Sequence, residues 1–385
     1  MRKEHKIVAS IVILILLSVI IYIAYTTSVT LMTKGKKLII YTDDSFLLWG
    51  NYPEAVQDFV FKGFEKYYER EYGVKVALEI KRFEGDREML SAVIQELERG
   101  VRTADVVIGL DNILVIEAID HEALESIDFT QLNNIENVPQ NVIEAFDPTG
   151  HAIPLIQAII GVVYDKRYAS EEAFPELEKL KFETFYNETY ASHFVVEDPR
   201  RSGTGLNFFI GQVVFFEKVL KKNWSEWWNQ VKDNITVVPS WSDAYDLFLD
   251  PEETGIWMVV STTTDPAYAY YFYGSDVYGA AVFVYNETKY GWFYVYGAGI
   301  VRGTKNYDIA LNFLDWLLSP EVQSLYPLND WMWPVNQLAA VPDWFEEYAQ
   351  NPNEVYPINL FITQDEIRDN LDTWLEEWSN IMGAT

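Results

Sequence analysis

The sequence contains no cysteine and only four histidines. The absence of cysteine excludes disulfide bonds, thiolate metal ligands, cysteine nucleophiles and a lipid-modified N-terminal cysteine. The histidines, His5, His121, His151 and His193, have neither HxxxH nor HExxH spacing, so a catalytic zinc site is not expected. The sequence therefore predicts no bound metal and no cofactor.

Basic residues are also scarce. Lys and Arg number 29 against 58 Asp and Glu, which gives a formal net charge of −29. Such a field repels phosphate backbones and disfavours nucleic acid as a partner, while it mildly attracts cationic ligands. Aromatic residues, by contrast, are abundant, with 13 Trp, 25 Tyr and 22 Phe. Most must fill the core, and we expect a minority to line a pocket for a flat or cationic ligand.

The N-terminus carries an uncharged apolar run at residues 7–25, preceded by Arg2, Lys3 and Lys6. As a helix this run can cross the ~30 Å hydrocarbon core of a bilayer. A cleaved signal peptide has a shorter apolar region, about 7–15 residues, and the AYTTSVT that follows matches an Ala-x-Ala site poorly. We favour an uncleaved anchor with linker over residues 1–37, which holds the body at the extracytoplasmic face. If the segment is cleaved, the body is periplasmic or secreted.

Strand-like and helix-like segments alternate from residue 38 onward, which predicts an α/β fold. The predicted strands cover residues 38–41, 74–80, 104–110, 159–164, 194–196, 235–238, 256–260, 281–284 and 299–301. The predicted helices cover residues 54–72, 87–97, 205–220, 224–232, 243–249, 306–318 and 364–381.

Polar and aromatic clusters follow five of these strands. They are TDDSFLLWG (42–50), FEGD (83–86), GLDN (109–112), EDPRRSGTG (197–205) and STTTDPAYAY (261–270). Ligands in open α/β sheets bind beyond the carboxyl ends of the strands, where loops turn into helices. Five clusters at the same topological position therefore predict a shared cleft.

These clusters, in this order, resemble those of the thiamine-binding subgroup of periplasmic solute-binding proteins. The resemblance covers about residues 38–385 and is carried by YTDDSFLLWG (41–50), ADVVIGLDN (104–112), VVYDK (162–166), EDPRRSGTGL (197–206), WSDAYDLFL (241–249), STTTDPAY (261–268) and NDWMWPVN (329–336). It implies a two-lobe periplasmic-binding-protein-like fold of type II that closes on its ligand. It also implies thiamine or thiamine phosphate as ligand, a monomer, and an ABC permease and ATPase as partners.

The same resemblance implies a discontinuous domain arrangement. Lobe 1 is expected to comprise residues 38–152 plus 263–345, and lobe 2 residues 153–262. A C-terminal helical segment, residues 346–385, is expected to pack on the lobes.

Thiamine has a cationic thiazolium ring, an aminopyrimidine and a hydroxyethyl tail that can carry phosphate. The rings call for aromatic faces, and Trp241, Tyr268 and Trp331 match family positions for them. Each of these three could instead be a core aromatic. For the amine and ring nitrogens the resemblance offers Gly85 and Asp86, and Asp44 is a further carboxylate that could equally cap a helix or turn.

The tail calls for an anion site, and the N-terminus of a helix provides one through its free N–H groups. Ser202, Gly203 and Thr204 open such a helix, although they could equally form an ordinary N-cap. At the return crossing between the lobes, the resemblance implies ligand contacts from Thr262, Thr263, Thr264, Asp265 and Pro266.

Three departures from the family pattern affect whether the site binds free thiamine or its phosphates. Thr262 stands where relatives often have an aromatic residue. Asp265 replaces a small hydroxyl residue and adds negative charge, which suits a cation but not a phosphate. The first crossing reads IPLIQA at residues 153–158, unlike that of relatives.

Other functions remain open on the same scaffold. A thiamine-processing enzyme of this fold would rely on a cysteine nucleophile, and the chain has no cysteine. A serine hydrolase would need a Ser/His/Asp arrangement, and the four dispersed histidines and the missing GxSxG turn argue against it. We therefore expect no enzymatic activity. Related two-lobe proteins bind ferric iron through tyrosines or bind polyamines through carboxylates and aromatics. Ferric iron stays an alternative ligand, because the chain offers the tyrosines Tyr41, Tyr268, Tyr270 and Tyr271.

Overall fold

The chain forms an α/β fold in a computed structural model that describes residues 35–101, 103–169 and 181–383. The apolar run at residues 7–25, on which the predicted membrane anchor rests, lies outside the described residues. Within the described ranges, no helix combines the length and the hydropathy that a bilayer span requires.

The described residues contain twelve strands, which belong to one pairing network. They are β1 Lys36–Asp43, β2 Val76–Phe83, β3 Val106–Leu110, β4 Ala152–Asp165, β5 Phe194–Glu197, β6 Thr236–Val238, β7 Met258–Thr262, β8 Tyr278–Ala281, β9 Phe283–Tyr285, β10 Thr288–Ile300, β11 Trp333–Pro334 and β12 Tyr356–Pro357.

Helices connect the strands. The α-helices of the described residues are α1 Pro53–Gln57, α2 Gly63–Tyr72, α3 Asp86–Glu98, α4 Leu114–Asp120, α5 Gln140–Phe146, α6 Glu188–Ala191, α7 Gly203–Val214, α8 Ser225–Val231, α9 Trp241–Leu249, α10 Pro251–Thr254, α11 Asp265–Tyr273, α12 Tyr307–Leu317, α13 Pro320–Gln323, α14 Tyr326–Asn329, α15 Asp343–Tyr348 and α16 Gln364–Met382. Two π-helical segments, Asp58–Lys62 and Phe215–Leu220, join α1 to α2 and extend α7.

The strand order across the sheet is β2-β1-β3-β10-β4-β7-β5-β6. At one end β1 pairs in parallel with β2 and β3, and at the other β5 pairs in parallel with β6 and β7. The two central strands run antiparallel to their neighbours. The result is two parallel α/β halves joined by an antiparallel pair.

The central strands β4 and β10 connect these halves. Residues Ala152 to Ile160 of β4 pair with β10, and from Ile160 to Tyr164 the same strand pairs with β7. The expected lobe boundary between residues 152 and 153 therefore falls at the first residue of β4. The division into lobes at these residues remains a prediction.

The strand and helix predictions agree with most of the long elements, but they missed several short helices, among them α4, α5 and α15, and parts of three longer segments. The run TKYGWFYVYGAGI, of which only residues 299–301 were predicted as strand, is the 13-residue strand β10. A bulge lies between Tyr296 and Gly297, and a Cβ atom at Gly297 would lie 2.3 Å from the Ile153 carbonyl oxygen. Glycine is thus required by close packing there, and it hides the strand pattern.

The first half of β4 and the helix α11 also escaped prediction. Aromatic residues favour strands by propensity, which obscures the helix in DPAYAYYFY. Its ends nevertheless carry helix signals, since Pro266 lies in the first turn and Gly274 ends the helix at φ 64°.

The C-terminal helix α16 begins with a capping box formed by Thr363 and Glu366. Its Trp378 packs edge-on against Trp228 of α8, with ring centroids 5.7 Å apart. Arg368 of the same helix pairs with Asp120 at the end of α4 at 2.6 Å. The helix therefore contacts elements from both halves of the chain.

Candidate ligand-binding site

The parallel strands β5, β6 and β7 end at the same edge of the sheet. Glu197 at the end of β5 is in register with Val238 at the end of β6. Helix α9 then begins with Trp241, after its N-cap residue Ser240. Strand β7 ends at Thr262. This edge is where ligands bind in open α/β sheets.

The hinge segment, which we define as Ser261 to Pro266, holds a hydroxyl network. The Thr262 hydroxyl lies 3.0 Å from that of Thr264 and donates to Asp265 Oδ1 at 3.0 Å. Thr263 and Thr264 are fully buried, and the backbone N–H of Thr263 donates to the Ile159 carbonyl of β4. The hinge is thereby fixed to the central strand that joins the two halves.

Trp241 is bound to the hinge segment. Its Nε1 donates to Ser261 Oγ at 3.0 Å, and its ring stacks on Tyr245 with centroids 4.6 Å apart. Trp241 is half-buried, so part of its indole remains available to a ligand. Tyr245 was not predicted from the sequence. Its position one helical turn after Trp241 was the available signal.

The other two predicted aromatics contact each other. Tyr268 lies edge-on to Trp331 with centroids 5.0 Å apart, and Trp331 Nε1 donates to the Trp49 carbonyl at 3.2 Å. Trp331 has a left-handed backbone with φ 54°, which is rare for so bulky a residue. Asp330 accepts a bond from Leu47 N at 2.9 Å, which ties this loop to the loop after β1.

Of the two aspartates in the DDSF segment, Asp43 rather than Asp44 turns inward. Asp43 is buried and accepts from Ser45 N at 2.6 Å and from the Tyr296 hydroxyl at 3.2 Å. Asp44 is exposed. The alternation of side chains along a strand does not fix this choice, because Asp43 is the last residue of β1.

Gly85 and Asp86 lie at the start of α3, with Gly85 as the N-cap residue. Burial, together with the nearby Asp111 carboxylate, raises the pKa of Asp86 to about 6. Burial, followed by the charges of these aspartates, raises the pKa of Tyr294 well above its ordinary value. Tyr294 and Tyr296 are two residues apart on β10 and so share one face, a pattern that the sequence already contained.

The SGT segment opens α7. Ser202 Oγ accepts from Gly205 N at 3.2 Å and therefore caps the helix, while Gly203 and Thr204 are half-buried in its first turn. Asn207 of α7 donates to Asp111 Oδ2 at 3.0 Å, which links this helix to the loop after β3. Capping and ligand binding are compatible at this position, because a cap occupies only one of the free N–H groups.

The two arginines that precede this helix are paired elsewhere or exposed. Arg200 forms an ion pair with Asp198 at 2.6 Å and lies over the Trp378 ring at 5.5 Å. Arg201 is exposed. Across the described ranges, no group of three or more His, Asp or Glu side chains is arranged to hold a metal ion.

These contacts connect the predicted residues into two groups. One joins Trp241 to the hinge segment and contains Asp265, with Tyr268 one turn along the same helix. The other joins Asp43, Asp86 and the α7 N-terminus through Tyr296, Asp111 and Asn207. Glu197, Tyr245, Tyr294 and Tyr296 belong to the same edges and were missed from the sequence.

The family follows from comparison with known proteins. The model of the bacterial extracellular solute-binding protein family matches residues 63–353. The chain belongs to this family. Within this solute-binding family it is similar to the thiamine-binding periplasmic proteins of Salmonella typhimurium and Escherichia coli, each 29% identical over 89% of this chain and 92% of the relative. A Brucella abortus thiamine-binding periplasmic protein is 28% identical over 89% of this chain and 91% of its own.

Solved structures agree on the two-lobe periplasmic-binding-protein fold. A periplasmic thiamin binding protein superposes with a TM-score of 0.65 at 25% identity, covering 91% of this chain and 97% of its own. A Trichodesmium protein in complex with iron and citrate gives a TM-score of 0.67 at 14% identity, covering 90% and 99%. At that identity the second likeness shows the fold alone.

Proposed function

We propose that this chain is the extracytoplasmic solute-binding protein of an ABC importer and binds thiamine or a thiamine phosphate by closure of its two lobes. It is not an enzyme in this proposal, and its partners are a membrane permease and an ATPase. The resemblance to proteins named for thiamine binding, over nine-tenths of both chains, supports the choice of ligand.

The hinge segment is the part of the structure that supports binding of a cationic heterocycle. It places the Asp265 carboxylate beside hydroxyl groups. Trp241 is bonded to the same segment through Ser261, and Tyr268 lies one turn along the helix that Asp265 begins. A cationic heterocycle is recognised by such faces through stacking and cation–π contact, worth up to ~2 kcal/mol in a desolvated site. Closure of the lobes supplies the desolvation.

The finer features extend this proposal. We propose a type II lobe arrangement, a monomer, and attachment to the membrane through residues 7–25. The tail of the ligand would lie at the N-terminus of α7, where Thr204 and the free N–H groups of the first turn suit an anion. The amino group would face Asp86 and Asp43.

Calorimetric titration of the purified full-length chain with thiamine and with thiamine monophosphate tests the proposal. We expect saturable binding and quenching of Trp fluorescence. Ferric citrate and spermidine serve as alternative solutes, and displacement of thiamine by either, or a coloured iron-loaded preparation, would favour the alternative. The assignment would be refuted if high thiamine concentrations gave neither a heat of binding nor quenching of Trp fluorescence. Site-dependent turnover of thiamine would also refute it.

A further inference from the structure

Glu197 occupies an unusual position for a carboxylate. It ends the central strand of the β7-β5-β6 group, level with Val238 on one side and two residues beyond the Val195–Val259 pair on the other. Its side chain is 1% exposed. The strand end therefore directs a fully buried acid at the sheet edge where the proposed ligand binds.

The first turn of α7 encloses Glu197. A Cβ atom at Gly205 would lie 2.7 Å from the Glu197 carbonyl oxygen and 2.9 Å from its Cβ atom. Only glycine permits this approach of helix to strand. The acid is thus held beneath the same helix N-terminus to which the anion site is assigned.

Neither carboxylate oxygen of Glu197 has a hydrogen-bond partner among the described residues. Asp265 Oδ2 is also buried without a partner in this part of the chain, although Asp265 Oδ1 accepts from Thr262. Buried polar groups are almost always hydrogen-bonded, and an unpaired one destabilises the fold. The two oxygens of Glu197 are therefore unexplained by the fold, whereas the hydroxyls of Ser261, Thr262 and Tyr245 partly satisfy Asp265.

The electrostatic surroundings of the pair are acidic or neutral. Burial, and then the charge of Asp265, raises the pKa of Glu197 to about 8. Burial raises the pKa of Asp265 to about 6 against the opposing effect of the Ser261 and Thr262 hydroxyls. At pH 7 the pair consequently holds about one proton.

The other titratable groups that face the pair are phenols. Burial raises the pKa values of Tyr245, Tyr268 and Tyr278, and the charge of Asp265 raises each of them further. The adjacent Asp198 and Arg200 are closed on each other as an ion pair at 2.6 Å. A positive group of the ligand would satisfy the two acids, since none of the cations named here among the described residues pairs with them.

We infer that Glu197 and Asp265 form a subsite at the base of the cleft that takes a cationic nitrogen group of the solute. This inference rests on the proposed function and assigns a chemical class to one part of that site. The subsite selects cationic over anionic parts of the ligand.

Binding of a cationic nitrogen should release a proton from the two acids. A cationic nitrogen favours the ionised form of both acids, because an opposite charge at short range stabilises a carboxylate. Binding at pH 7 should therefore displace up to about one proton from the pair into the buffer. The proton leaves the Glu197 carboxyl group, and no bond other than that O–H bond is broken.

The test is thiamine titration of the full-length chain at pH 7 in two buffers of different ionisation enthalpy, phosphate and Tris. We expect an observed binding enthalpy that differs between buffers by close to one proton's worth of ionisation. Glu197→Gln should abolish this difference and weaken thiamine binding about tenfold. Asp265→Asn should weaken thiamine binding at least as much and reduce the preference for thiamine over thiamine monophosphate.

Glu226→Gln is the matched control, because Glu226 is an exposed acid on α8 and undergoes the same substitution. It should keep both the affinity and the buffer difference of the native chain. Both test variants are isosteric, and a thermal melt checks that each folds. Native chain that binds thiamine with no buffer difference, or variants that bind like Glu226→Gln, would overturn the subsite while leaving the proposed function intact. A native chain that fails to bind thiamine would overturn both.

Discussion

Trp241 and Ser261 are joined by a hydrogen bond of 3.0 Å from the indole Nε1 to the hydroxyl oxygen. The bond connects the first residue of α9 to the hinge segment, so the indole is oriented by the segment at which we propose that the lobes close. Its other contact is the stacked ring of Tyr245. Neither contact lies in a main hydrophobic core, since Trp241 is only half-buried.

Trp241→Ala should therefore separate binding from folding. We expect thiamine affinity to fall at least about tenfold, because a desolvated cation–π contact is worth up to ~2 kcal/mol. The free energy of unfolding should fall by only about 1 kcal/mol. Calorimetry and urea denaturation measure the two quantities.

Trp316→Ala is the comparison variant. Trp316 is also half-buried, stacks on Tyr67 at 5.4 Å and donates to the Val60 carbonyl, but it belongs to the helix layer of α12. Because Trp316 packs against the main hydrophobic core, Trp316→Ala should lose about 3 kcal/mol of stability, more than Trp241→Ala, and keep its thiamine affinity. Equal losses of binding and stability in Trp241→Ala would show that Trp241 is merely a core residue.

Thr204→Ala tests the anion site at the start of α7. We expect a larger loss of affinity for thiamine monophosphate than for thiamine, because the hydroxyl would bind the phosphate. Ser202→Ala should add a loss of stability of about 1 kcal/mol, since Ser202 caps the helix. Titration with both ligands and thermal melts measure these effects.

The cap of α16 provides the control for that series. Thr363→Ala removes a capping hydroxyl far along the chain from the SGT segment, and it should reduce stability by a similar amount without changing either affinity. Equal losses for the two ligands in Thr204→Ala would reject the anion-site role.

Gly85→Ala tests for a direct ligand contact. Gly85 has an extended backbone with φ −160°, and a Cβ atom there would meet nothing within 4 Å in the described structure. The variant should therefore fold with unchanged stability, while thiamine affinity falls because the methyl group occupies ligand space. Unchanged affinity would remove Gly85 from the site.

Asp330→Asn tests the cost of a buried acid. Burial raises the pKa of Asp330 from its ordinary 3.8 to about 8. The folded state then holds a proton that the unfolded state releases, so stability should be fully present below pH 3.8 and decline as the pH rises to about 8. Each unit of raised pKa corresponds to about 1.4 kcal/mol. Urea denaturation across this range should show a shallower decline for the variant.

Asp128→Asn should act in the opposite direction. Hydrogen bonds from Gln131 and Thr130 lower the pKa of Asp128, so its contribution is present above its ordinary pKa and lost in acid. If both variants change the pH profile in the same direction, the assignment of a buried, protonated Asp330 is wrong.

Local patterns in the sequence predicted much of the fold. The alternation of strands and helices from residue 38 predicted the α/β class, and the buried run VVIGL was recognisable as the strand β3. The periodicity of residues 87–97 gave α3 to within one residue at each end. Such features depend on spacing within a single element, which one sequence displays directly.

Other features depend on what lies opposite in space. Glycine at position 297 made β10 look broken, yet it is required where Phe146 and Ile153 approach the strand. The choice of Asp43 over Asp44 was similarly fixed by a distant partner, Tyr296 of β10. Neither partner can be deduced from neighbours along the chain.

The sequence alone determined which chemical groups stand at the strand ends: aromatic rings, hydroxyls, acids and a helix N-terminus. Only the tertiary structure decided which of them share surroundings, because burial and charge interactions arise between segments far apart in the chain. Glu197 illustrates the difference. In the sequence, Glu197 is an ordinary acid before a Pro-containing turn. It becomes a buried, unpaired neighbour of Asp265 only when the fold brings β5 and the hinge segment together.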